Sequence, residues 1–251
     1  MTFSGDLVTL TDDYLQAIEA SPVMQAMLTG QVSRQGYIDF LVRLYPVVSN
    51  FCPMMSATLG VCADRLPELR RFLHQHIQEE RGHEHMVLND LRALGMADVD
   101  SVPQRRPALP AQAIIAFNYH GIRAEHPGCV LGMIYVLEIL SSLYAGKVAL
   151  AVSRTLGLAM SSGFSFLDSH ATLDEDHMAS LRKLLQLEEC AESQSCILNS
   201  IGMNFYLFKE LLEYGVGTHS GATSQPQFEL PQIADADKAQ KPLPQSAGCP
   251  E

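Results

Sequence analysis

The amino-acid sequence predicts a single all-helical domain. Its hydrophobic stretches are bounded by residues typical of helix ends, with proline or serine at the start and glycine at the finish. No segment shows the alternation of apolar and polar residues, bounded by turns, that a β-strand requires. No internal repeat is present. The 251 residues are 47% hydrophobic and 18% charged, which is typical of a globular protein and not of a disordered one.

Helix signals in the first part of the chain are local and distinct. Ser21-Pro22 opens a short helix that Gly30 ends. Ser33 is the predicted N-cap of the next helix, because its hydroxyl can accept a hydrogen bond from a free backbone N–H group. Pro46 and Pro53 should kink or break that second helix.

The remaining elements follow from the same punctuation. A helix should begin at Pro67 and continue without interruption until Gly95 ends it. Two prolines that follow, Pro103 and Pro107, predict a loop before Pro110 starts another helix. The sequence therefore predicts a loop over 96–110 and helices over about 67–94, 110–125, 127–158, 165–181 and 190–214.

The end of the chain differs in composition from the rest. From Gly215 onward it is rich in glycine, serine, glutamine and proline. Such a segment cannot bury enough apolar surface to offset the entropy of ordering it. We therefore predict a helical domain over 1–217 and a flexible tail over 218–251.

Charge and cysteine usage limit the classes of partner. The formal net charge is −11 and no basic stripe is present, so we expect no nucleic-acid partner. The longest apolar run contains Glu138 and two serines, and we expect no membrane span. None of the six cysteines forms a CxxC pair, and the N-terminal segment lacks the pattern of a signal peptide. A reducing, cytoplasmic location is therefore expected.

One predicted helix presents two imidazoles and a carboxylate on a single stripe. In the segment SFLDSHATLDEDHMASL, His170, Asp174 and His177 are spaced four and then three residues apart. At about 100° per residue, their side chains share one face of a helix. The stripe is either exposed to water, with Asp174 as a helix cap, or directed at a metal ion.

A second cluster lies in HQHIQEERGHEH. On a continuous helix, His76, Glu79, Glu80 and His83 would lie within about 100° of each other, with His74 and His85 on the opposite side. Either Glu79 or Glu80 could therefore act together with His83, and a carboxylate three residues before a histidine is a spacing used in di-iron bundles. A solvated charged face is the alternative.

The third feature is Glu138, which lies within the apolar segment VLGMIYVLEILSSLYAG. A charge in such surroundings costs several kcal/mol unless it is paired or binds a cation. Lys147 would lie on the opposite side of the helix, so a partner must come from another helix or be a metal ion. We also expect crowding and burial to raise the pKa values of carboxylates at such a site.

Together the three clusters offer a mixed set of oxygen and nitrogen ligands. Such a set suits iron, with manganese as the alternative, and contains no thiolate that would favour zinc. Six ligands are too many for one ion that keeps open positions, but fit two ions bridged by a carboxylate. The predicted metal ligands are Glu79 or Glu80, His83, Glu138, His170, Asp174 and His177.

The sequence resembles the haem-oxygenase-like diiron oxidases. The resemblance is carried by LGMIYVLEILSSLYAGKV followed by the His170 stripe, and by the earlier segments YIDFLVRLYPVVSNF and EERGHEHMVLNDLRALG; it covers about residues 10–212. It implies a single haem-oxygenase-like bundle of seven or eight helices, with metal ligands at the positions named above. No glutamate occurs between Ser33 and Cys62, so a further ligand of some N-oxygenating members is absent.

The resemblance implies an iron-dependent oxidoreductase that uses two iron ions to activate dioxygen. The reaction would oxidise a small organic substrate by N-oxygenation, C–H abstraction or oxidative C–C cleavage. Glu138 and Tyr135 are the expected catalytic residues, with Tyr135 as a redox group or a support for the ligands. The alternative is a metal-free protein of the same fold, either a thiaminase-like hydrolase with Cys52 or Cys129 as nucleophile or a small-molecule-binding protein. A homodimer is expected by analogy with the fold.

Overall fold

The structure, a computed structural model, describes residues 2–62 and 66–215, except for the side chains of 171–176. These residues form helices and no strands. The α-helices are α1 Phe3–Glu19, α2 Pro22–Leu28, α3 Arg34–Val61, α4 Pro67–Glu80, α5 His83–Ala93, α6 Leu109–His120, α7 Cys129–Leu140, α8 Gly146–Leu156, α9 Ser165–Gln186 and α10 Ala191–Glu213. The tail predicted over 218–251 lies outside the described residues.

The helix ends lie where the local signals predict them. Pro22 and Pro67 are the first residues of α2 and α4. The Ser33 hydroxyl accepts a hydrogen bond from the Gly36 N–H group and caps α3. α3 nevertheless continues through Pro46 and Pro53, so neither proline breaks it.

Two segments differ from the sequence prediction. The segment 96–110 is not all loop, because it contains a 3₁₀ helix over Val99–Gln104. The helix predicted over 67–94 is interrupted, because Gly82 adopts a φ of 97° that only glycine takes up readily. The described residues thus form ten α-helices, more than the expected seven or eight, partly because α4 and α5 are separate.

A π-helical segment divides the long central helix. Ser141–Ala145 joins α7 to α8 without a break, so the helix extends from Cys129 to Leu156 as the sequence predicts. By length and composition, this is the one helix among the described residues that could cross a membrane. However, 72% of its most apolar stretch is buried inside the protein, as in the central helix of a helical bundle.

α7 lies at the centre of the core. Each of its residues except Leu137 is buried, including Glu138. Its most extensive contacts are with α10, and it also packs against α9, α3 and α6. Gly132 allows the close approach to α10, because a Cβ atom at this position would lie 2.5 Å from the Ser200 Cβ atom and 2.8 Å from the Ile201 nitrogen. The helix that carries the buried carboxylate is therefore held from several sides.

A buried carboxylate fixes the start of α9. Asp90 in α5 accepts hydrogen bonds from the backbone N–H groups of Ser165 and Phe166, at 3.0 and 2.8 Å, and from the Ser165 hydroxyl at 2.7 Å. These are N–H groups that the helix itself leaves without partners. Asp90 thereby sets the position of the helix that contains His170 and His177.

Substitution of Gly132 by alanine should destabilise the protein by about 1–3 kcal/mol, because the added methyl group collides with α10. Gly60→Ala in α3 is the matched control, since a Cβ atom there meets nothing within 4 Å. It should stabilise the helix by up to about 1 kcal/mol. Urea denaturation of both variants measures the difference, and equal stabilities would contradict the close packing of α7 on α10.

Candidate metal centre

The side chains of the three predicted clusters converge between α4, α5, α7 and α9. His76 and Glu80 come from α4, His83 from the first turn of α5, Glu138 from α7, and His170 and His177 from α9. They form two groups that share Glu80, and within each group the potential ligand atoms lie within 4.8 Å of one another. One group contains His76, Glu80, Glu138 and His177, and the other contains Glu80, His83 and His170.

The first group is centred on Glu138. One of its carboxylate oxygens lies 3.0 Å from the His76 Nε2 atom, and the other lies 3.3 Å from the His177 Nδ1 atom. His177 Nδ1 is also 3.6 Å from an oxygen of Glu80. The His76 ring stacks on Phe72 with ring centres 5.1 Å apart, which restricts its orientation.

The second group is centred on Glu80. Its Oε2 atom lies 2.8 Å from His83 Nδ1 and 3.7 Å from His170 Nε2. His170 Nδ1 is 2.7 Å from the Phe166 carbonyl oxygen and donates to it, so Nε2 is the ring nitrogen that faces Glu80. A backbone carbonyl that holds the second nitrogen is typical of metal-binding histidines.

The break at Gly82 is part of this arrangement. Glu80 is the last residue of α4 and His83 is the first residue of α5. The two side chains therefore meet across a turn and not along one helix, as their spacing had suggested. His85 is directed outwards, with 73% of its side chain exposed.

The imidazoles reverse the expected shift of the carboxylate pKa values. Burial would raise the pKa of Glu80, but interactions with His170 and His83 outweigh it and hold the pKa well below the usual range. Burial likewise opposes the lowered pKa of Glu138, which interactions with His177 and His76 produce. The expectation of raised carboxylate pKa values was therefore wrong, because each carboxylate faces two imidazoles.

His177 shows the opposite shift for the same reason. Its hydrogen bond with Glu138 raises the pKa to about 9, although burial acts to lower it. A protonated His177 therefore offsets part of the negative charge of Glu80 and Glu138 when no cation is bound. A divalent cation would take over that role and release the proton.

The donors fit an iron or manganese centre. Nitrogen and carboxylate oxygen atoms are the ligands that these ions share, and six such side chains lie together here. His76 Nε2 and Glu80 Oε1 are also fully buried, and within the described part of the chain neither has a hydrogen-bond partner of good geometry. The contacts of these two atoms are ionic, with Glu138 and His177 respectively, and a bound metal ion would complete their bonding.

A mostly apolar cavity of about 120 Å³ opens beside the centre. Glu80, His83, Glu138 and His170 form its polar end. The rest is lined by Met24, Met27, Phe40, Leu44, Val47, Val48, Phe51, Leu137, Leu140, Ser141, Tyr144, Ala145, Val148, Phe166, Leu167, Phe208 and Leu212.

The predicted residues are distributed unequally around the centre. Glu79 lies at the edge, 41% exposed, with an oxygen 3.3 Å from His177 Nε2, so the geometry favours Glu80 as the ligand of the pair. The Asp174 side chain lies outside the described residues. The Tyr135 hydroxyl lies 3.1 Å from the Thr11 hydroxyl in α1, and Tyr135 is not among the residues that line the cavity.

Sequence reasoning omitted His76 from the ligand set. The predicted helical phase places His76 on the same face as Glu80. The predicted ligand set nevertheless includes only one carboxylate and one histidine from HQHIQEERGHEH. Its burial is the missing signal, since only 1% of His76 is exposed whereas His74 is exposed. The phase of the apolar residues Leu69 and Leu73, which are buried in α4, predicts this difference.

Comparison with known proteins identifies the family. A sequence profile described as iron-containing redox enzyme matches residues 38–203, which include the six side chains of the centre. The chain belongs to this family. No curated protein matches the sequence.

Solved structures show that the chain has the haem-oxygenase-like fold. A domain of unknown function with a heme oxygenase-like fold from Shewanella denitrificans is 20% identical, with a TM-score of 0.75 over 85% of this chain and 91% of that one. A TenA homologue from Pseudomonas syringae is 16% identical, with a TM-score of 0.72 over 84% and 91%. Heme oxygenase from Leptospira interrogans is 17% identical, with a TM-score of 0.66 over 84% and 98%.

With metal removed by a chelator, the protein should become less stable as the pH rises from about 6.5 to about 9. His177 has a pKa of about 9 when folded and an ordinary value of 6.5. The stability that the protonated His177 contributes is therefore complete below about pH 6.5 and is lost as the pH rises through about 9. We expect the free energy of unfolding to fall by roughly 1–3 kcal/mol over this pH range.

Glu138→Gln provides the control for this pH dependence, since it removes the carboxylate that raises the pKa of His177. The variant should lose much less stability than the wild-type protein over the same pH range, as measured by urea denaturation at each pH. Parallel curves for the two proteins would show that the Glu138–His177 interaction does not set the pKa.

Proposed function

We propose that this protein is a non-haem diiron oxidase that activates dioxygen and oxidises a small, predominantly apolar substrate. The observation that carries the proposal is the pair of ligand groups that share Glu80 and face the cavity. A carboxylate between two sets of imidazoles suits two ions, and the family is one of iron-containing enzymes.

The proposal assigns the ligands by group. His76, Glu138 and His177 would hold one iron ion, His83 and His170 would hold the other, and Glu80 would serve both. Asp174 stays a predicted ligand, since it lies in α9 between the two histidines. Bound iron would supply the redox chemistry with dioxygen.

The protein's own residues would organise the reaction. The hydrogen bond from His170 Nδ1 to the Phe166 carbonyl oxygen fixes the ring so that Nε2, the atom that would bind iron, faces Glu80. The apolar walls exclude water from the centre and orient a substrate by its shape. Because the cavity is polar only near the centre and at Ser141 and Tyr144, a substrate with an extended apolar part fits it best.

The metal-free alternatives are less well supported. A thiaminase-like hydrolase would need a thiol nucleophile in the cavity, but neither Cys52 nor Cys129 is among its lining residues. Burial, together with Glu80 and Glu84, raises the pKa of Cys52 to about 11, so little reactive thiolate would form near neutral pH.

His76→Ala should lower the iron content of the purified protein from about two ions per chain to one or fewer, because the first ligand group loses its α4 nitrogen. His74→Ala is the matched control, since His74 is exposed on the same helix. Metal analysis by mass spectrometry and circular dichroism check iron and folding. Retention of wild-type iron by the His76 variant would remove it from the ligand set.

Dioxygen uptake tests the activity itself. Anaerobic protein loaded with Fe(II) should consume oxygen when mixed with aerated buffer, and the His76 variant should consume it at least tenfold more slowly. Wild-type protein that binds two ions but consumes no oxygen, with or without apolar additives, would contradict the oxidase and favour a binding role.

Ala145→Phe should abolish ligand entry while leaving the metal ligands in place, because Ala145 lines the cavity and the larger ring would fill it. The apolar dye Nile red serves as the test compound, and we expect its affinity to fall at least tenfold. Leu150→Phe is the control, since Leu150 lies at the surface and is 42% exposed. Unchanged dye affinity in the Ala145 variant would mean that apolar molecules bind elsewhere.

A further inference from the structure

Two cysteines outside the metal centre lie against each other. Cys129 is the first residue of α7, and Cys196 lies in α10. Their Sγ atoms are in bonding contact, and their Cα atoms are 5.4 Å apart, within the range of protein disulfides. The sequence analysis does not pair them, because nothing in their spacing relates residues 67 positions apart.

The pair is buried but adjoins the surface. Only 3% of Cys129 and 8% of Cys196 is exposed, so neither sulfur is open to large reagents. The Glu125 Oε2 atom lies 3.8 Å from the Cys129 sulfur and 3.9 Å from the Cys196 sulfur, and Glu125 itself is exposed. A carboxylate at this position can accept a thiol proton and pass it to solvent.

We propose that Cys129 and Cys196 form a reversible disulfide that fastens the start of α7 to α10. Hydrogen peroxide, which is small enough to reach a buried sulfur, is the oxidant. One cysteine loses its proton to Glu125 and attacks a peroxide oxygen, which breaks the O–O bond, forms a sulfenic acid and releases hydroxide. The second cysteine thiol then attacks the sulfenic sulfur and breaks its S–O bond, so that one protein disulfide and, in total, two water molecules form.

The disulfide acts on the helix that carries Glu138. Glu138 lies nine positions after Cys129, which corresponds to about 13 Å along the helix axis. The contact between α7 and α10 is already the most extensive between helices, and Gly132 and Ser200 pack at its centre. The disulfide lies about one helical turn before Gly132 and Ser200. It limits how far α7 and α10 can separate in the unfolded chain and in partly opened states.

A metal ion is the competing explanation for the cluster. Glu125, Cys129 and Cys196 also meet the geometric requirement for three potential ligands. Structural zinc sites usually have four protein ligands, and this cluster offers three among the described residues, which favours the disulfide. Zinc binding by the reduced protein is therefore an outcome that would overturn the proposal.

Peptide mapping of the full-length protein tests the disulfide directly. After incubation with one equivalent of hydrogen peroxide, then denaturation and alkylation without reduction, mass spectrometry should show Cys129 and Cys196 in one linked peptide pair. Cys52, Cys62 and Cys190, which the structure shows as free, should be alkylated. Dithiothreitol should convert the linked pair to two alkylated cysteines, and a second oxidation should restore it. Full alkylation of both cysteines after oxidation, or stoichiometric zinc on the reduced protein, would refute the proposal.

Thermal unfolding measures what the link contributes. Oxidised wild-type protein should melt about 5 °C or more above the reduced protein. Cys196→Ser should abolish this difference, whereas Cys190→Ser, at the start of the same helix, should keep it. If Cys196→Ser does not fold, the comparison of oxidised with reduced wild-type protein still decides the outcome. Equal melting temperatures for these two forms would contradict a stabilising link.

Discussion

Glu80 is the residue on which the arrangement of the centre depends. Its carboxylate is buried at the end of α4 and contacts histidines from both α5 and α9. An isolated carboxylate at this depth would be expensive, and removal of its partners would leave an uncompensated charge. The helices can therefore pack here only if the imidazoles, and in the proposed holo protein the metal ions, compensate Glu80 and Glu138 together. This requirement links the packing of α4, α5, α7 and α9 to the chemistry of the site.

The structure meets this requirement because a different local feature positions each ligand. The turn at Gly82 directs His83 back towards Glu80. Asp90 caps α9 and so places His170, whose ring is held by a backbone carbonyl. α7 is buried on nearly every side, which holds Glu138 without any help from its own neighbours in sequence. Ligands that are positioned before metal binding lose little entropy when an ion enters.

Much of this could be predicted from the sequence because the signals are local. Proline and serine at helix starts and glycine at helix ends define most boundaries, and the apolar setting of Glu138 indicates a buried charge. His83 was predicted from a continuous helix that does not exist, and it still meets Glu80 because the turn at Gly82 returns it to the site. Whether Glu80 or Glu79 is the ligand, and whether His76 is a ligand at all, depends on which face of α4 is buried. That is decided by packing against other helices, although Leu69 and Leu73 indicate it. The contact between Cys129 and Cys196 depends entirely on how α7 packs against α10, so no local pattern reveals it.

The most direct test of the account is the location of iron in crystals of the protein loaded anaerobically with Fe(II). Anomalous diffraction at the iron absorption edge identifies each bound ion independently of any assumption about the ligands. The account predicts two iron peaks, one on each side of Glu80, with His76, Glu138 and His177 around one and His83 and His170 around the other. A single peak that does not involve Glu80, or no peak between these helices, would contradict it.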